Sequence, residues 1–516
     1  MSMRRYACFA GATALAAALA AAPAMAQKSK DTLRMPLSSP IQGVSYYFDP
    51  KPDTAYEIVA VFDGIVGYDE VNGSLQPLLA KSWQRVGDTA IEFDFRDDVK
   101  WHDGERFDAD DVAYTIDWLL DPKTRIRFKN IYAWIGKVEK LGPYKLRITA
   151  KTPTPYDLAR YAYLFYMLPE HVHGKMDDKL AFTRKPVGTG MYKVRSVDAN
   201  DGIVFERNAA YAHGGKAKPM SNIGRVVMKF MPDPSTQIAE FIAGNLDIIP
   251  RDLSLDQALE LSKVPNATLS AGQNFSLTYV AFDAKGRSGN KAVTDIRVRK
   301  ALAMAIDGAA IARLKVPQGF GIPHPESMCF KTQAACVYGA TLPPLDVAGA
   351  RKLLAEAGYP NGFNLELTSF TSTREDAEAI SGMLSRIGVK ATVDTLLIGP
   401  YRKKQGDGKI QTMVGSWPGG GLPDVAGTID FIYAAPASRD YHGDAEVKRL
   451  GGLVNSTIDK GKRDAYARQM FDRATEQAYF IPLSPTPTVV VHSKDLAVRA
   501  GTFGAFGLDA WGMNWK

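Results

Sequence analysis

Hydrophobic and polar positions follow two different periods along the chain. A period of two, or a short apolar run, predicts strands at residues 32–37, 91–96, 146–150, 203–207, 226–230, 246–249, 275–282, 363–367, 390–394 and 488–492. Helical spacing predicts helices at residues 56–68, 108–120, 235–243, 296–306, 346–357, 374–387 and 463–477. The first of these helices is expected to end at Gly64 or Gly67. Strands and helices therefore alternate, which predicts an α/β fold.

The first 26 residues have the pattern of a secretion signal. Arg4 and Arg5 precede an Ala/Leu-rich run at residues 10–22, and an A-x-A cleavage pattern ends at Ala26. The apolar run is shorter than the ~20 residues that a membrane-spanning helix needs. Cys8 lies before the apolar run, so a lipid anchor is not predicted. We expect residues 1–26 to be removed and the mature chain to work in the periplasm.

Two cysteines remain after the signal. Cys329 and Cys336 lie seven residues apart in a proline-flanked, loop-like stretch. A zinc site needs more ligands than these cysteines and the distant His324 provide. In an oxidising compartment, so close a pair predicts a local disulfide.

Composition limits the class of protein. The 516 residues are 46% hydrophobic and 23% charged, as in folded soluble proteins, and the length predicts about three structural units. The net charge of +7 is mild. The short basic run at residues 402–404 is soon broken by glycine and aspartate, so nucleic-acid binding is not predicted.

Residue patterns typical of catalysis or phosphate binding are absent from the sequence. It contains no Gly-x-Ser-x-Gly, His-Glu-x-x-His, Walker A or dinucleotide-binding signature. Residues 188–190 predict a turn into a strand, and residues 101–104 a tryptophan-anchored turn. His171 and His173 predict a solvated pair, and Asp108 a helix cap. We therefore predict no enzymatic activity, no metal site and no cofactor.

Several motifs occur in the order found in one known family. The run at residues 95–112, FRDDVKWHDGERFDADDV, resembles the signature of the family-five extracellular solute-binding proteins, the peptide-class receptors of ABC importers. Further segments resemble that family in the same order: residues 77–83, 186–192, 207–211, 244–247 and 296–307, then the helix around 463–470 followed by residues 481–483. The resemblance covers essentially the whole mature chain.

The resemblance implies a two-lobed periplasmic binding protein fold, type II and cluster C-like, with an extra subdomain in lobe I. On this resemblance we expect the lobe I core at residues 27–62, 186–274 and 480–516, the extra subdomain at residues 63–185, and lobe II at residues 275–479. The chain would cross between the lobes near residues 271–275 and 480–485. The implied partners are a peptide or small-molecule solute, and permease subunits in the inner membrane served by a separate ATPase. The receptor itself is expected to be a monomer.

The resemblance also indicates where the solute binds. Dipeptide-type members share a Gly-Trp-x-x-Asp stretch whose aspartate pairs with the peptide ammonium. Here the tryptophan is Trp417, the aspartate position is Gly420, and the nearest acid is Asp424. An arginine for the peptide carboxylate is not clearly matched, and Arg374 is the nearest candidate. The other cleft candidates are Ser38, Ser39, Tyr46 and Tyr279.

The solute class stays open at this point. A peptide or peptide-like solute is the first expectation. An opine, an oligosaccharide, a lipid-like molecule or a metal chelate is the alternative, because both peptide-charge anchors are unmatched. His442 and Met413 are the residues that would suit a nickel-complex, haem or metallophore receptor. A secreted peptidase is the remaining class, and it lacks a nucleophile and base in the sequence.

Overall fold

The computed structural model describes residues 31–48, 55–69, 72–251, 253–419, 422–499 and 512–516. The signal predicted at residues 1–26 and the candidate Gly420 lie outside these described residues. Over the described ranges, no helix is long and apolar enough to cross a membrane.

The described strands, in chain order, are β1 (Thr32–Leu37), β2 (Val66–Asp69), β3 (Ser74–Pro77), β4 (Ala80–Val86), β5 (Ala90–Phe95), β6 (Ile135–Gly142), β7 (Lys145–Ala150), β8 (Tyr192–Asp198), β9 (Gly202–Arg207), β10 (Arg225–Phe230), β11 (Ile248–Ile249), β12 (Ala267–Gly272), β13 (Leu277–Phe282), β14 (Asn364–Phe370), β15 (Lys390–Leu396), β16 (Thr412–Trp417), β17 (Phe480–Pro485), β18 (Thr488–Ser493), β19 (Leu496–Val498) and β20 (Met513–Trp515).

The described helices, in chain order, are α1 (Ala55–Val61), α2 (Ala109–Leu120), α3 (Asp157–Tyr163), α4 (Lys179–Phe182), α5 (Pro234–Ile242), α6 (Leu255–Leu261), α7 (Ile296–Ala305), α8 (Gly308–Arg313), α9 (Val347–Glu356), α10 (Arg374–Ser385), α11 (Ile398–Gly406), α12 (Ala426–Thr428), α13 (Ala445–Ser456) and α14 (Lys460–Glu476).

Lobe I is built from the sheets at the two ends of the chain. A sheet of order β1-β10-β9-β8 and a sheet of order β11-β18-β12 form its centre. The sheet of order β4-β5-β7-β6 comes from the stretch that the sequence assigns to an extra subdomain. A single large apolar core joins the β1 sheet to the β4 sheet, so the two parts pack as one body.

Lobe II has one five-stranded sheet, of order β15-β14-β16-β13-β17. Strand β13 is buried along its whole length, because helices and loops cover both faces of the sheet. Its side chains alternate between the two faces. Tyr279 and Ala281 join one apolar cluster, whereas Val280 and Phe282 join the other.

The sheet order bears on one expected lobe boundary. The segment after residue 480 was expected to return directly to lobe I. Strand β17 instead pairs with β13, with Ala281 opposite Phe480 and Leu277 opposite Pro485. From this pairing we infer that the return to lobe I begins after Pro485, where β18 joins the sheet of order β11-β18-β12.

The predicted helix at residues 56–68 is also too long. Helix α1 ends at Val61, and β2 begins at Val66. Between them, a Cβ atom on Gly64 would lie 2.8 Å from the Tyr161 carbonyl oxygen. This close approach of two backbones fixes the point at which the chain leaves the helix.

The predicted start of α2 is confirmed. The Asp108 side chain accepts from the Asp110 backbone N–H at 2.8 Å, and the Asp111 carboxylate accepts from the Asp108 N–H at 3.2 Å. Asp111 also accepts from the indole N–H of Trp101, at 3.0 Å. The helix cap and the tryptophan-anchored turn are thus one hydrogen-bonded unit.

The two histidines of residues 171–173 do not form the predicted solvated pair. His173 is 1% exposed, and its Nδ1 lies 2.6 Å from the Tyr114 hydroxyl. Its ring packs edge-on against Trp118 and Phe182. Burial lowers the pKa of His173 to about 3. Only His171 is partly exposed, with its Nε2 2.8 Å from a carboxylate oxygen of Asp103.

Acidification should therefore destabilise the protein through His173. The unfolded histidine takes up a proton near pH 6.5, whereas the folded one does so only near its lowered pKa of about 3. Stability is therefore lost as the pH falls below 6.5. Between pH 7 and pH 5 the loss from this group is about 2 kcal/mol. Urea unfolding of the wild type and His173→Phe at both pH values should show a smaller pH effect in the variant, and the same pH effect in both would contradict this account.

The predicted disulfide is confirmed. Cys329 and Cys336 are bonded and both are buried in lobe II, in the cluster that contains Tyr279 and Trp417. The bond closes a short loop with a sequence separation of seven residues.

Removing the disulfide should have a moderate effect. Loop-closure entropy for so short a loop predicts that Cys329→Ala/Cys336→Ala lowers the free energy of unfolding by about 2–3 kcal/mol. The measurement is urea unfolding of the oxidised wild type, the reduced wild type and the double variant. Reduction and substitution should give similar losses, and an unchanged midpoint in both would refute the prediction.

Candidate functional site

The two lobes are joined by two chain crossings that lie side by side. One runs from Gly272, at the end of β12, to Leu277, and the other from Pro485 to Thr488. The Thr486 backbone N–H donates to the Ser276 carbonyl at 3.0 Å, so the crossings are hydrogen-bonded to each other. The crossings were expected near residues 271–275 and 480–485, and these two segments adjoin or overlap those ranges.

Trp417 lies next to this junction. It is the last residue of β16 and pairs with Leu277, the first residue of β13. The indole is 9% exposed and donates through Nε1 to the Thr428 Oγ1 at 2.8 Å. Its ring stacks on Phe431 with a centroid distance of 4.3 Å and an interplanar angle of 15°. Hydrogen bonding and stacking together fix the orientation of this aromatic pair.

Tyr279 lies on the same face of the sheet. It pairs with Gly415 across β13 and β16, and a Cβ atom on Gly415 would lie 3.0 Å from the phenol ring. Glycine at this position therefore makes room for the ring. Burial raises the pKa of Tyr279 to about 12, so the phenol stays neutral at physiological pH.

Two arginines complete this face of lobe II. The guanidinium carbon of Arg439 lies 4.2 Å from the Phe431 ring centroid, and that of Arg402 lies 5.1 Å from it. Arg402 also donates through Nη1 to the Gln405 Oε1 at 2.9 Å. The face thus combines aromatic rings with positive charge.

Lobe I meets lobe II close to these residues. Tyr156 and Tyr163, from lobe I, share one apolar cluster with Leu422 and Ala426, from lobe II. Leu422 and Ala426 follow Trp417 by five and nine residues. Trp417 therefore lies fewer than ten residues before the part of lobe II that packs against lobe I.

Comparison with known proteins decides the family. Residues 74–438 match the family described as bacterial extracellular solute-binding proteins, family 5, middle. This match covers well over half of the chain. The chain belongs to this family.

Curated relatives and solved structures agree over most of the chain. The protein is 26% identical to heme-binding protein A of Haemophilus influenzae, over 87% of this chain and 86% of that protein. It is 27% identical to di/tripeptide-binding protein 1 of Pseudomonas aeruginosa, over 88% and 87%. Its fold is similar to that of NikZ from Campylobacter jejuni in complex with Ni(L-His), with a TM-score of 0.73, 24% identity and coverage of 95% and 100%.

These findings establish the fold and the class of function. The family 5 protein has the two-lobed binding-protein fold and serves as the solute-binding component of an ABC importer. The proteins of this family are periplasmic or extracellular binding proteins rather than enzymes.

In this family 5 protein, Asp424 forms a buried ion pair with Arg463. Its two carboxylate oxygens accept from Nη1 and Nη2 of Arg463 at 2.8 and 2.7 Å, and one of them also accepts from the Ala426 backbone N–H at 2.8 Å. Asp424 is 3% exposed and Arg463 is 6% exposed. The closest acid to the expected peptide-ammonium position is therefore bound within lobe II.

The remaining candidates lie in several places. Arg374 starts α10, its side chain is 63% exposed, and it pairs with Glu378 at 2.7 Å. Ser38 and Ser39 are half-buried directly after β1. Tyr46 is half-buried and lines a small cavity whose described lining, including Tyr166 and Trp118, comes wholly from lobe I. The structure thus does not gather all the predicted residues around Trp417.

The two residues considered for a metal complex are buried in lobe II. His442 uses both ring nitrogens: Nε2 lies 2.9 Å from the Tyr433 carbonyl oxygen, and Nδ1 accepts from the Asp444 N–H at 3.0 Å. Burial lowers the pKa of His442, so the ring is neutral. Met413 is 4% exposed. Both side chains therefore pack and hydrogen-bond inside the lobe.

Sequence reasoning missed Phe431, Arg402 and Arg439. Phe431 lies in a π-helical turn, Ile429–Tyr433, and Arg439 lies in a loop, so neither has a periodic pattern around it. Arg402 was noted only as part of a short basic run. The signal that the sequence did offer was this basic run, which closely follows the apolar residues Leu397 and Ile398.

Proposed function

We propose that the protein is a periplasmic receptor that captures a peptide-like organic solute between its lobes and delivers it to an ABC permease. The observation that carries this proposal is the fixed aromatic face of Trp417, Phe431 and Tyr279, set beside the crossings between the lobes. Aromatic walls bind organic solutes without requiring a particular charge. The two crossings act as a hinge, so that closure buries the solute and presents both lobes to the permease.

The proposal includes the further expectations taken from the sequence. Residues 1–26 are removed on secretion, no lipid holds the mature chain, and the receptor is a monomer. It binds without catalysis and without a resident cofactor. The permease subunits lie in the inner membrane, and a separate ATPase subunit drives transport.

A solute without a free ammonium group is the second candidate. It is favoured by the pairing of Asp424 with Arg463, which leaves that carboxylate fully used by lobe II. In this form the receptor takes an opine, an oligosaccharide, a lipid-like molecule or a metal chelate. Among the relatives, one binds haem and another binds di- or tripeptides, so the family includes solutes with and without a free ammonium group.

A thermal-shift screen tests the proposal. Mature protein is stripped of ligand by unfolding and refolding, then heated with dipeptides, longer peptides, opines, oligosaccharides, haem and nickel–histidine. A solute at 100 times its Kd stabilises the folded state by about 2.7 kcal/mol. We expect stabilisation by one solute class, and its loss in Trp417→Ala. If the refolded protein hydrolyses a peptide of the panel, the receptor proposal fails.

A further inference from the structure

The Phe431 ring carries two guanidinium groups. Trp417 lies nearly parallel to the ring and covers one of its faces. Since Arg439 also lies only 4.2 Å from the ring centroid, its guanidinium occupies the opposite face. Arg402, at 5.1 Å, lies close enough for the two positive charges to act on each other.

Neither guanidinium has a carboxylate partner among the described residues. The acids close to this segment in sequence have other partners: Asp424 pairs with Arg463, Asp407 with Lys403, and Asp440 with Lys285 and Lys448, while Asp430, next to Phe431, accepts from Asn455. Desolvation and the positive charge of Arg402 lower the pKa of Arg439. Two like charges that share one aromatic ring without a counter-charge repel each other, and an anion placed between them would relieve that repulsion.

The arginines also lie where a solute would reach them. Strands β14, β15 and β16 are parallel, and Phe370, Leu396 and Trp417 mark their carboxyl ends on one edge. Helix α11 follows β15 at this edge and carries Arg402 one turn after Ile398. Ligands of open α/β sheets bind outside the carboxyl ends of the strands. Ile398 is 55% exposed, so Arg402 adjoins an apolar surface that is still open.

We propose that Arg402 and Arg439 bind an anionic oxygen group of the imported solute, a carboxylate or a phosphate, while Phe431 and Ile398 contact its apolar part. The proposal rests on the receptor function proposed above and names the charge of its solute. A guanidinium binds such groups through two parallel N–H donors, and an aromatic ring beneath it limits its freedom to turn away. A solute that presents an ammonium group here is repelled by both arginines.

Simple anions give the direct test. Melting temperatures of refolded mature protein are measured with inorganic phosphate and with glutarate, each against chloride at equal ionic strength, and with neutral glutaramide. We expect phosphate or glutarate to stabilise the wild type and glutaramide to have no effect. The more effective anion identifies the source of the charge as phosphate or carboxylate.

Variants separate these arginines from surface charge in general. Arg402→Gln/Arg439→Gln should weaken the apparent anion affinity at least tenfold. Arg402→Lys/Arg439→Lys keeps both positive charges and should lose less anion affinity than the glutamine double variant. Arg449→Gln removes an exposed lobe II arginine that pairs with Glu446, and should leave the affinity unchanged. The proposal is overturned if neither anion stabilises the wild type, or if the glutamine double variant keeps its full response.

The same variants distinguish this proposal from the receptor function. A panel solute that binds the wild type and Arg402→Gln/Arg439→Gln equally well would leave the receptor function intact and exclude the anion site. If the wild type binds glutarate through these arginines but binds none of the panel solutes, the anion site stands and the receptor function is excluded. We expect a panel solute with a free acid group to lose at least tenfold in affinity in the double variant.

Discussion

Replacing Lys218 with methionine should lower the free energy of unfolding of lobe I by about 3–5 kcal/mol. Lys218 is 7% exposed, and its ammonium lies 2.7 Å from the carboxylate of Asp63, which is fully buried. Asp63 also accepts from Thr189 and lies 2.9 Å from His213 Nε2. Without Lys218, the buried carboxylate would lose its nearest positive charge.

The charges around Asp63 explain the size of this effect. Burial by itself raises the pKa of a carboxyl group, but Lys218 and His213 outweigh it and hold the pKa of Asp63 well below its usual range. The ion pair therefore stabilises the fold above pH 4 and is lost as the pH falls through the lowered pKa. Lys218 also donates to the Val59 and Phe62 carbonyls, so it secures the end of α1.

Urea unfolding followed by tryptophan fluorescence measures the Lys218→Met effect. Lys216→Met is the matched control, because Lys216 is exposed two residues away and should change stability by less than about 0.5 kcal/mol. Equal midpoints for Lys218→Met and the wild type would show that the buried pair is not needed for the stability of lobe I.

Replacing Arg463 with methionine should have a similarly large effect in lobe II. Arg463 holds both oxygens of Asp424 and donates through Nε to the Val454 carbonyl at 2.9 Å. Removing it leaves a buried carboxylate without a counter-charge, at a cost of about 3–5 kcal/mol. Arg449→Met is the control, because its pair with Glu446 is exposed and is worth less than about 1 kcal/mol.

The same pair separates a structural role of Asp424 from solute binding. Asp424→Asn/Arg463→Met removes both charges and should recover part of the stability lost in Arg463→Met. The double variant should also keep the wild-type Kd for the solute, measured by calorimetry well below its melting temperature. A tenfold loss of affinity in the folded double variant would instead make Asp424 part of the binding site.

Local sequence patterns were sufficient to predict most of the helices and strands. Strand β1 was predicted at the residues where it is found, and α2 begins after Asp108 because its cap is encoded within four residues. Such signals depend on period and capping, which neighbouring residues fix by themselves. The predicted end of α1 was wrong because the chain after the helix is held by a contact between Gly64 and Tyr161, which lie about a hundred residues apart.

The domain boundary and the site could be predicted only in part, because both depend on contacts between residues that lie far apart in the sequence. Strand β17 pairs with β13, some two hundred residues earlier in the chain, and no local pattern indicates that pairing. Trp417 could be predicted from its motif, whereas Arg439 comes to Phe431 only through the fold of an irregular segment. His173 looked like a surface residue because its burial depends on Trp118 and Phe182.

Closure of the cleft is the most direct test of the receptor account. Small-angle X-ray scattering should be recorded on refolded mature protein alone and with a saturating amount of the solute that stabilises it most. We expect a smaller radius of gyration with solute, because the lobes rotate together about the crossings at residues 272–277 and 485–488. An unchanged radius of gyration in the presence of bound solute would contradict it.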